Sequence, residues 1–380
     1  MLDGLLLLDF SSVGPGPRCT RLLADYGMRV VKIRPPATGT RLLEAPWFAY
    51  SADRGIDQVR VDLKRPEGVA LVHRMIATAD CLVESFRPGV ADRLGIGHAD
   101  VAAANPRLVY CSVSGYGQTG PYAGRPAHDL NWLALGGYLA ACGRRADGGP
   151  ALPGATVADT VGGYSTAVAV LCALLARGAT GSGRFLDVSV IDAVLRTMQF
   201  GIDEHLAGAG SPAAGGLLQG GFACYDVYET ADGRWLALGA IERHFWATAC
   251  HGLGLEHLVD AHLDAGGQDA VRAEVAAAFR TRTADAWMAE LGEVTCLTPV
   301  NSPAEVVTDP HLRDRPLLVD TELDGRPLRQ LAPRLAVADP ADLERLPVGA
   351  TPPERVATVL TDFGLAADEI AALRRENVLS

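Results

Sequence analysis

Along the first third of the chain, short apolar runs alternate with amphipathic stretches. Residues 5–10 (LLLLDF) read as a buried strand, 15–27 (PGPRCTRLLADYG) as a helix closed by Gly27, and 29–33 (RVVKI) as the next strand. Two apolar strands joined by a short helix make a βαβ unit, which implies a parallel sheet. The alternation continues with a helix in 67–80 (EGVALVHRMIATAD), a strand at 81–86 (CLVESF) and another at 108–116 (LVYCSVSGY). The pattern is α/β, doubly wound and Rossmann-like. Its first turn reads SSVGPGPRC and not GxGxxG, with Pro15 and Pro17 stiffening the loop. A dinucleotide site needs close backbone approach at that turn, so an NAD-dependent enzyme is not expected.

Past the Gly- and Pro-rich loop 116–121, the run GRPAHDLNWLALGGYLAACG reads as one buried apolar helix beginning at Asp129. Residues 157–178 (VADTVGGYSTAVAVLCALLARG) are apolar nearly all round, which predicts a helix at the centre of the core. A turn, a strand and a helix follow in GATGSGRFLDVSVIDAVL. The composition then shifts at 208–221 (GAGSPAAGGLLQGG), which marks a linker or loop. Beyond it, 222–240 predict a hairpin turning at Asp232-Gly233. Helices near 243–254 and 268–291 complete a small α+β domain, and short strands are expected in 314–320 and 326–335. A Pro-rich tract (340–353) leads to a last helix in ADEIAALRREN. The expected layout is residues 1–190 as the large domain, 191–221 as linker helix and loop, 222–325 as the small domain, and 326–380 returning to the large one.

Composition narrows the function. Of 380 residues 48% are hydrophobic and 21% charged, the profile of a soluble globular enzyme. A net charge of −11 argues against a nucleic-acid partner held by general phosphate attraction. The run STAVAVLCALLA falls short of the ~20 residues that span a bilayer, so no membrane partner is expected. The N-terminus MLDGLLLLDF lacks the basic start and cleavage site of a signal peptide. The eight cysteines show no CxxC pair and no zinc spacing. Cys111, Cys142 and Cys172 stand in apolar stretches, where a thiol behaves as a small hydrophobe. No metal is expected, and a reducing cytoplasm is the natural location.

Three ionisable groups stand where a strand or loop gives way to a helix: His128-Asp129 in PAHDLNW, Asp159 in TVADTVGG, and Glu242 in LGAIERHFW. Each has a purely structural account. Asp129 and Asp159 fit N-caps, worth ~1 kcal/mol, and Glu242 fits a first-turn acid favoured by the helix dipole by ~0.3–1 kcal/mol.

Together with other segments they resemble a known family. GLLLLDFSSVGPGPRCTRLLADYGMRVVKI, VDLKRPEG, VESFRPGVADRLGIG, LVYCSVSGYGQTGPY, AHDLNW, GSGRFLDVSVIDAV, YDVYETADGRWLALGAIE and CLTPVNSPAEVVTDPHL occur in the order of the family III CoA-transferases and α-methylacyl-CoA racemases. The resemblance spans nearly the whole chain. It implies a large domain built from both chain ends, a small domain from the middle, and a homodimer whose chains interlock. It also implies an acyl-CoA substrate and no further cofactor. Transferases of the family carry the acyl group on a carboxylate as a mixed anhydride and commonly have a glycine-rich loop near the site. Racemases pair a histidine with an aspartate as acid and base. His128 ahead of Asp129, and GAIE in place of the glycine-rich loop, resemble the racemase branch.

That branch inverts the carbon next to a thioester, so a proton leaves one face and another arrives at the opposite face. One base cannot reach both. His128 and Asp159 are the expected pair, the N–H of Asp129 the expected donor to the enolate oxygen, and Glu242 the expected hydrogen-bond partner of the imidazole. In the transferase alternative Asp159 is the nucleophile. Arg87 and Lys64 resemble family positions that meet CoA, and Arg54 and Arg60 are expected to substitute where Gly55-Ile56-Asp57 replaces a more basic stretch. Trp132 stands where racemases often have a tyrosine, which implies a differently shaped acyl group.

Overall fold

The structure is a computed structural model that describes residues 1–36, 51–208, 216–315, 317–323, 326–331 and 351–380. The chain forms two compact units. One comprises Met1–Gly136, Gly154–Thr197 and Asp314–Ser380, and the other Gly137–Pro153 with Met198–Arg313. The stretch 137–153, read from sequence as part of the large domain, thus groups with the second unit, and Asp314–Ser380 groups with the first.

The first unit is built on six parallel strands: β1 (Leu6–Phe10), β2 (Arg29–Arg34), β3 (Asp57–Arg60), β4 (Cys81–Glu84), β5 (Val109–Ser114) and β6 (Arg184–Ser189), ordered β3-β2-β1-β4-β5-β6. The order reverses between β1 and β4, so the chain leaves those two strands in opposite directions. Ligands of doubly wound sheets bind at such switch points.

Strand side chains alternate between the two faces of the sheet. On one face Leu8, Val31, Leu82 and Tyr110 pack with Val72, Met75 and Ile76 of helix α2 (Pro66–Ile76) and with Val359 and Leu360 near the C-terminus, all fully or almost fully buried. Each such aliphatic side chain contributes ~1.5–3 kcal/mol through burial. Strand β3 (DQVR) was not expected. It is an edge strand too polar to read as an apolar run, and only Val59 in it is buried.

On the other face lie helices α1 (Pro15–Asp25) and α4 (Val157–Thr180). Their close approach is set by glycines. A Cβ at Gly163 would stand 2.7 Å from the Arg18 Cβ and 3.1 Å from the Pro15 carbonyl oxygen. Helix α4 is not enclosed as its sequence suggested. Gly162, Gly163, Thr166, Val170 and Ala173 form a buried stripe, while Tyr164, Val168 (59% exposed) and Leu175 (78% exposed) face outward. At 24 residues it is long and apolar enough to cross a bilayer, but its buried stripe against α1 is the packing of a core helix. Cys172, expected among apolar neighbours, is exposed on it.

The helix beginning at Asp129 also differs from expectation. It ends after two turns as α3 (Asp129–Leu135), followed by Gly136, Gly137 and a separate turn, Tyr138–Ala141. Gly137 adopts φ 84°, a left-handed conformation open to glycine, and a Cβ at Gly136 would strike Val194 at 2.5 Å. Leu130 and Leu135 are exposed, so the helix is buried on one side only.

In the second unit β7 (Tyr225–Glu229), β8 (Trp235–Gly239) and β9 (Leu297–Pro299) make an antiparallel sheet that includes the predicted hairpin. Its core holds Tyr228, Trp246, Phe279 and Trp287. The single helix expected over 268–291 is two, Gln268–Phe279 and Ala284–Leu291, and Thr283 caps the second by accepting the Ala286 N–H. Residues 209–215 of the expected linker and 340–350 of the Pro-rich tract lie outside the described residues, as do 316 and 332–335 of the short strands expected near them.

Candidate active site

At the switch point, the loop after β1 reaches Gly14 and turns into α1. The Asp159 carboxylate lies against this turn. Gly14 has φ 79°, and a Cβ there would stand 3.2 Å from Asp159 Oδ1, so glycine meets both the backbone conformation and the space. The close α1–α4 crossing at Gly162 and Gly163, one turn further along α4, brings Asp159 to this place.

Asp159 is the third residue of α4, whose N-cap is Thr156. Its side chain is 14% exposed, with Oδ2 3.3 Å from Arg18 Nη1. The Arg18 guanidinium is itself anchored. Nη1 donates to the Gly14 carbonyl at 2.9 Å and Nη2 to Thr156 Oγ1 at 2.6 Å. Asp129 Oδ1 accepts the Asp159 backbone N–H at 3.0 Å. Burial raises the proton affinity of the Asp159 carboxylate above the usual aspartate value. Arg18 and His128 oppose that rise, and the neighbouring Asp129 adds to it.

His128, not Asp129, is the N-cap of α3. Its backbone N–H donates to Asn131 Oδ1 at 3.0 Å and its carbonyl accepts the Asn131 N–H at 2.9 Å. The residue is exposed. As the first helical residue, Asp129 has an N–H that the helix ladder does not use. One turn on, Trp132 is buried and packs against Gly115, just past β5. A Cβ at Gly115 would stand 2.8 Å from the indole Nε1.

The structure therefore gathers His128, Asp129 and Asp159 at one place. Glu242 belongs to the second unit, at the end of β8, where it is the exposed N-cap of the helix Arg243–Leu253 and not a first-turn acid. Arg87, just past β4, and Lys64 are exposed. Arg54 is a correction. Expected to meet phosphate, it is 1% exposed and spent inside the fold, on Asp25 Oδ1 at 2.9 Å, Gln330 Oε1 at 3.1 Å and the Leu331 carbonyl at 2.9 Å. Arg60 is half-buried and donates to the Pro35 carbonyl at 2.9 Å. Among the described residues no group of three His, Cys, Asp or Glu side chains is placed to hold a metal ion.

Two residues beside Asp159, Gly14 and Arg18, are not evident as site residues from the sequence. The signal for Gly14 was its setting before Pro15 in a strand-to-helix turn. Arg18 gave none, because an arginine in the first turns of a helix is ordinarily a solvated charge.

Residues 2–353 match the sequence profile of CoA-transferase family III. The chain belongs to that family. Over its full length it is 31% identical to α-methylacyl-CoA racemase of Homo sapiens, covering 97% of that protein. It is also 29% identical over its full length to succinyl-CoA–D-citramalate CoA-transferase of Chloroflexus aurantiacus, covering 98% of it. Among solved structures, a CAIB/BAIF family protein from Brucella suis superposes with a TM-score of 0.82 at 26% identity, covering 95% of this chain and 99% of its own. Family III thus includes both named activities among relatives similar to this chain, so membership leaves the choice between them to the site.

Proposed function

We propose that this family III protein is a 2-methylacyl-CoA racemase, which inverts the α-carbon of a CoA thioester by proton transfer between two bases. The observation that carries the reading is the convergence of His128 and Asp159. The Asp129 side chain ties the first turns of their helices together at 3.0 Å, and His128 is the N-cap of the helix that Asp129 begins.

The α-proton is a weak acid. General acid–base catalysis supplies about 10²–10⁴-fold, so most of the barrier must fall by stabilising the charge that develops on the thioester oxygen. In this reading one base takes the α-proton, and the C–H electron pair passes into the enolate. The N–H of Asp129 donates to its oxygen, and the conjugate acid of the other base returns a proton to the opposite face. Raised proton affinity suits Asp159 to this work, because a base that is too weak cannot take the proton. Arg87 and Lys64 are assigned to CoA. The acting form is a homodimer. An exposed apolar face on α4, with Tyr164, Val168 and Leu175, supports association with a second copy.

A second reading has Asp159 attack the thioester to give a mixed anhydride and the CoA thiolate. The thiolate then attacks the Asp159 carbonyl, releasing the first acid and leaving CoA on Asp159 as a thioester. A second carboxylate takes up CoA by the same two steps in reverse. The mostly buried carboxylate and the CoA-transferases among the relatives favour it. One experiment separates the two. The protein is incubated with one enantiomer of a 2-methylacyl-CoA in heavy water and followed by NMR. Loss of the α-proton signal with scrambled configuration and no added acid is expected. CoA appearing only on an added carboxylic acid would overturn the racemase in favour of transfer.

A further inference from the structure

The mechanism above leaves Arg18 without a task, although its guanidinium makes a charged contact with the reacting carboxylate. We propose that Arg18 is a positioning residue, which holds the Asp159 carboxylate as an anion in a single orientation against the Gly14 turn. The inference rests on the reading of Asp159 as the reacting group.

Three contacts fix the guanidinium. It lies 3.3 Å from Asp159 Oδ2, 2.9 Å from the Gly14 carbonyl and 2.6 Å from Thr156 Oγ1. The last two belong to the loop before α1 and to the N-cap of α4, so the group bridges the elements that shape this corner of the site. An arginine kept only for solubility would point outward, whereas this side chain is 32% exposed and committed at both Nη atoms. The surroundings create the need. A carboxylate taken from water favours its neutral form, and an acidic neighbour, Asp129 on α3, pushes the same way. The opposing charges are Arg18 on α1 and His128 at the start of α3. In a two-base reaction the imidazole changes charge during turnover, so it cannot hold Asp159 ionised throughout. A guanidinium stays charged at any working pH, which makes Arg18 the only one of the two whose support is constant.

The test compares Arg18→Ala and Arg18→Lys with the parent chain. The Asp159 carboxyl carbon is followed by NMR on protein labelled at aspartate carboxyls, the signal being assigned with Asp159→Asn. Its titration midpoint should move to higher pH in Arg18→Ala and return part-way in Arg18→Lys. The acid limb of kcat/KM should follow, a displacement of one pH unit corresponding to about tenfold in kcat/KM below the limb. A folded Arg18→Ala protein whose Asp159 titrates as in the parent would overturn the proposal and leave Arg18 a stitch between α1 and α4. If the carboxyl midpoint moves but the kinetic limb stays, Arg18 is upheld and the assignment of Asp159 as reacting base fails instead.

Discussion

Asp129 and Asp159 are joined by one hydrogen bond, the side chain of the first accepting the backbone N–H of the second at 3.0 Å. The bond occupies an N–H that would otherwise lack a partner in the first turn of α4, and it locks α3, with His128 at its head, to α4. Asp129→Ala should lose about 1–2 kcal/mol, less than a fully buried charged bond because the residue is half-exposed. If His128 and Asp159 act as the proposed pair of bases, it should also lower kcat by about tenfold to a hundredfold, because the two shift apart. Asp129→Asn keeps the acceptor and removes a negative neighbour, so it should retain most activity and move the acid limb to lower pH. Urea melts and pH–rate profiles read both effects.

The pH dependence follows from the sign of the Asp159 shift. Its proton affinity is raised, mainly by burial, so it becomes protonated on acidification before an ordinary aspartate would. Protonated, it can neither accept a proton nor act as a nucleophile. The acid limb of kcat/KM should therefore lie above the usual aspartate range and disappear in Asp159→Asn along with the activity. The same shift makes the charged form a cost to the fold. The cost is absent below the unfolded-state pKa, grows as pH rises through the folded-state value and is constant above it. Asp159→Asn should accordingly melt no lower than the parent at neutral pH, a comparison that calorimetry makes directly.

Gly14 meets two constraints at once, a φ of 79° and an Asp159 oxygen where a side chain would begin. Gly14→Ala should cost about 1–2 kcal/mol in backbone strain and displace the carboxylate, with kcat falling by at least about tenfold. A Gly14→Ala enzyme with unaltered kcat would mean that Asp159 does not need its place against this turn.

Lys32 is fully buried between Asp9, at 3.4 Å, and Asp53, at 3.0 Å, and Arg34 also pairs with Asp53. Asp9 in turn accepts the Ser11 N–H at 2.7 Å and the Thr20 hydroxyl at 2.8 Å, which fixes the entry to the Gly14 turn. Lys32→Met leaves two carboxylates buried with less compensation and should destabilise the fold by about 3–5 kcal/mol. Double substitution with Asp9→Asn should recover part of the loss in urea melts, since one of the stranded charges is then gone.

The strands and their parallel pairing were legible because β1, β2, β4 and β5 are apolar runs flanked by turn residues, and a buried parallel strand leaves that trace. Edge strand β3 left none. His128, Asp129 and Asp159 stand out in the sequence because ionisable groups at helix starts contrast with the apolar helices they open. Arg18, Arg54 and Lys32 do not, since what distinguishes a tethered or buried cation from a solvated one is a partner remote in sequence. Arg54 reaches Gln330, and Lys32 reaches Asp53. The end of α3 at Gly136-Gly137 is marked in the sequence by the glycine pair, but the apolar residues on both sides continue the helical pattern across it.

The apolar character of α4 has a consequence for assembly. Tyr164, Val168 and Leu175 recur at intervals of four and seven, which places them on one side of the helix, away from the stripe packed on α1. Burying a side chain of this size is worth ~1.5–3 kcal/mol, so a second copy covering this face would gain from each of them. In the proposed homodimer, Leu175→Asp and Val168→Asp should shift the protein from dimer to monomer in sedimentation velocity, with the double variant more complete than either single one. Far-UV circular dichroism should stay unchanged, because neither side chain supports the core of its own chain. Double-variant protein that still sediments as a dimer would place the interface elsewhere and leave this face of α4 open to solvent.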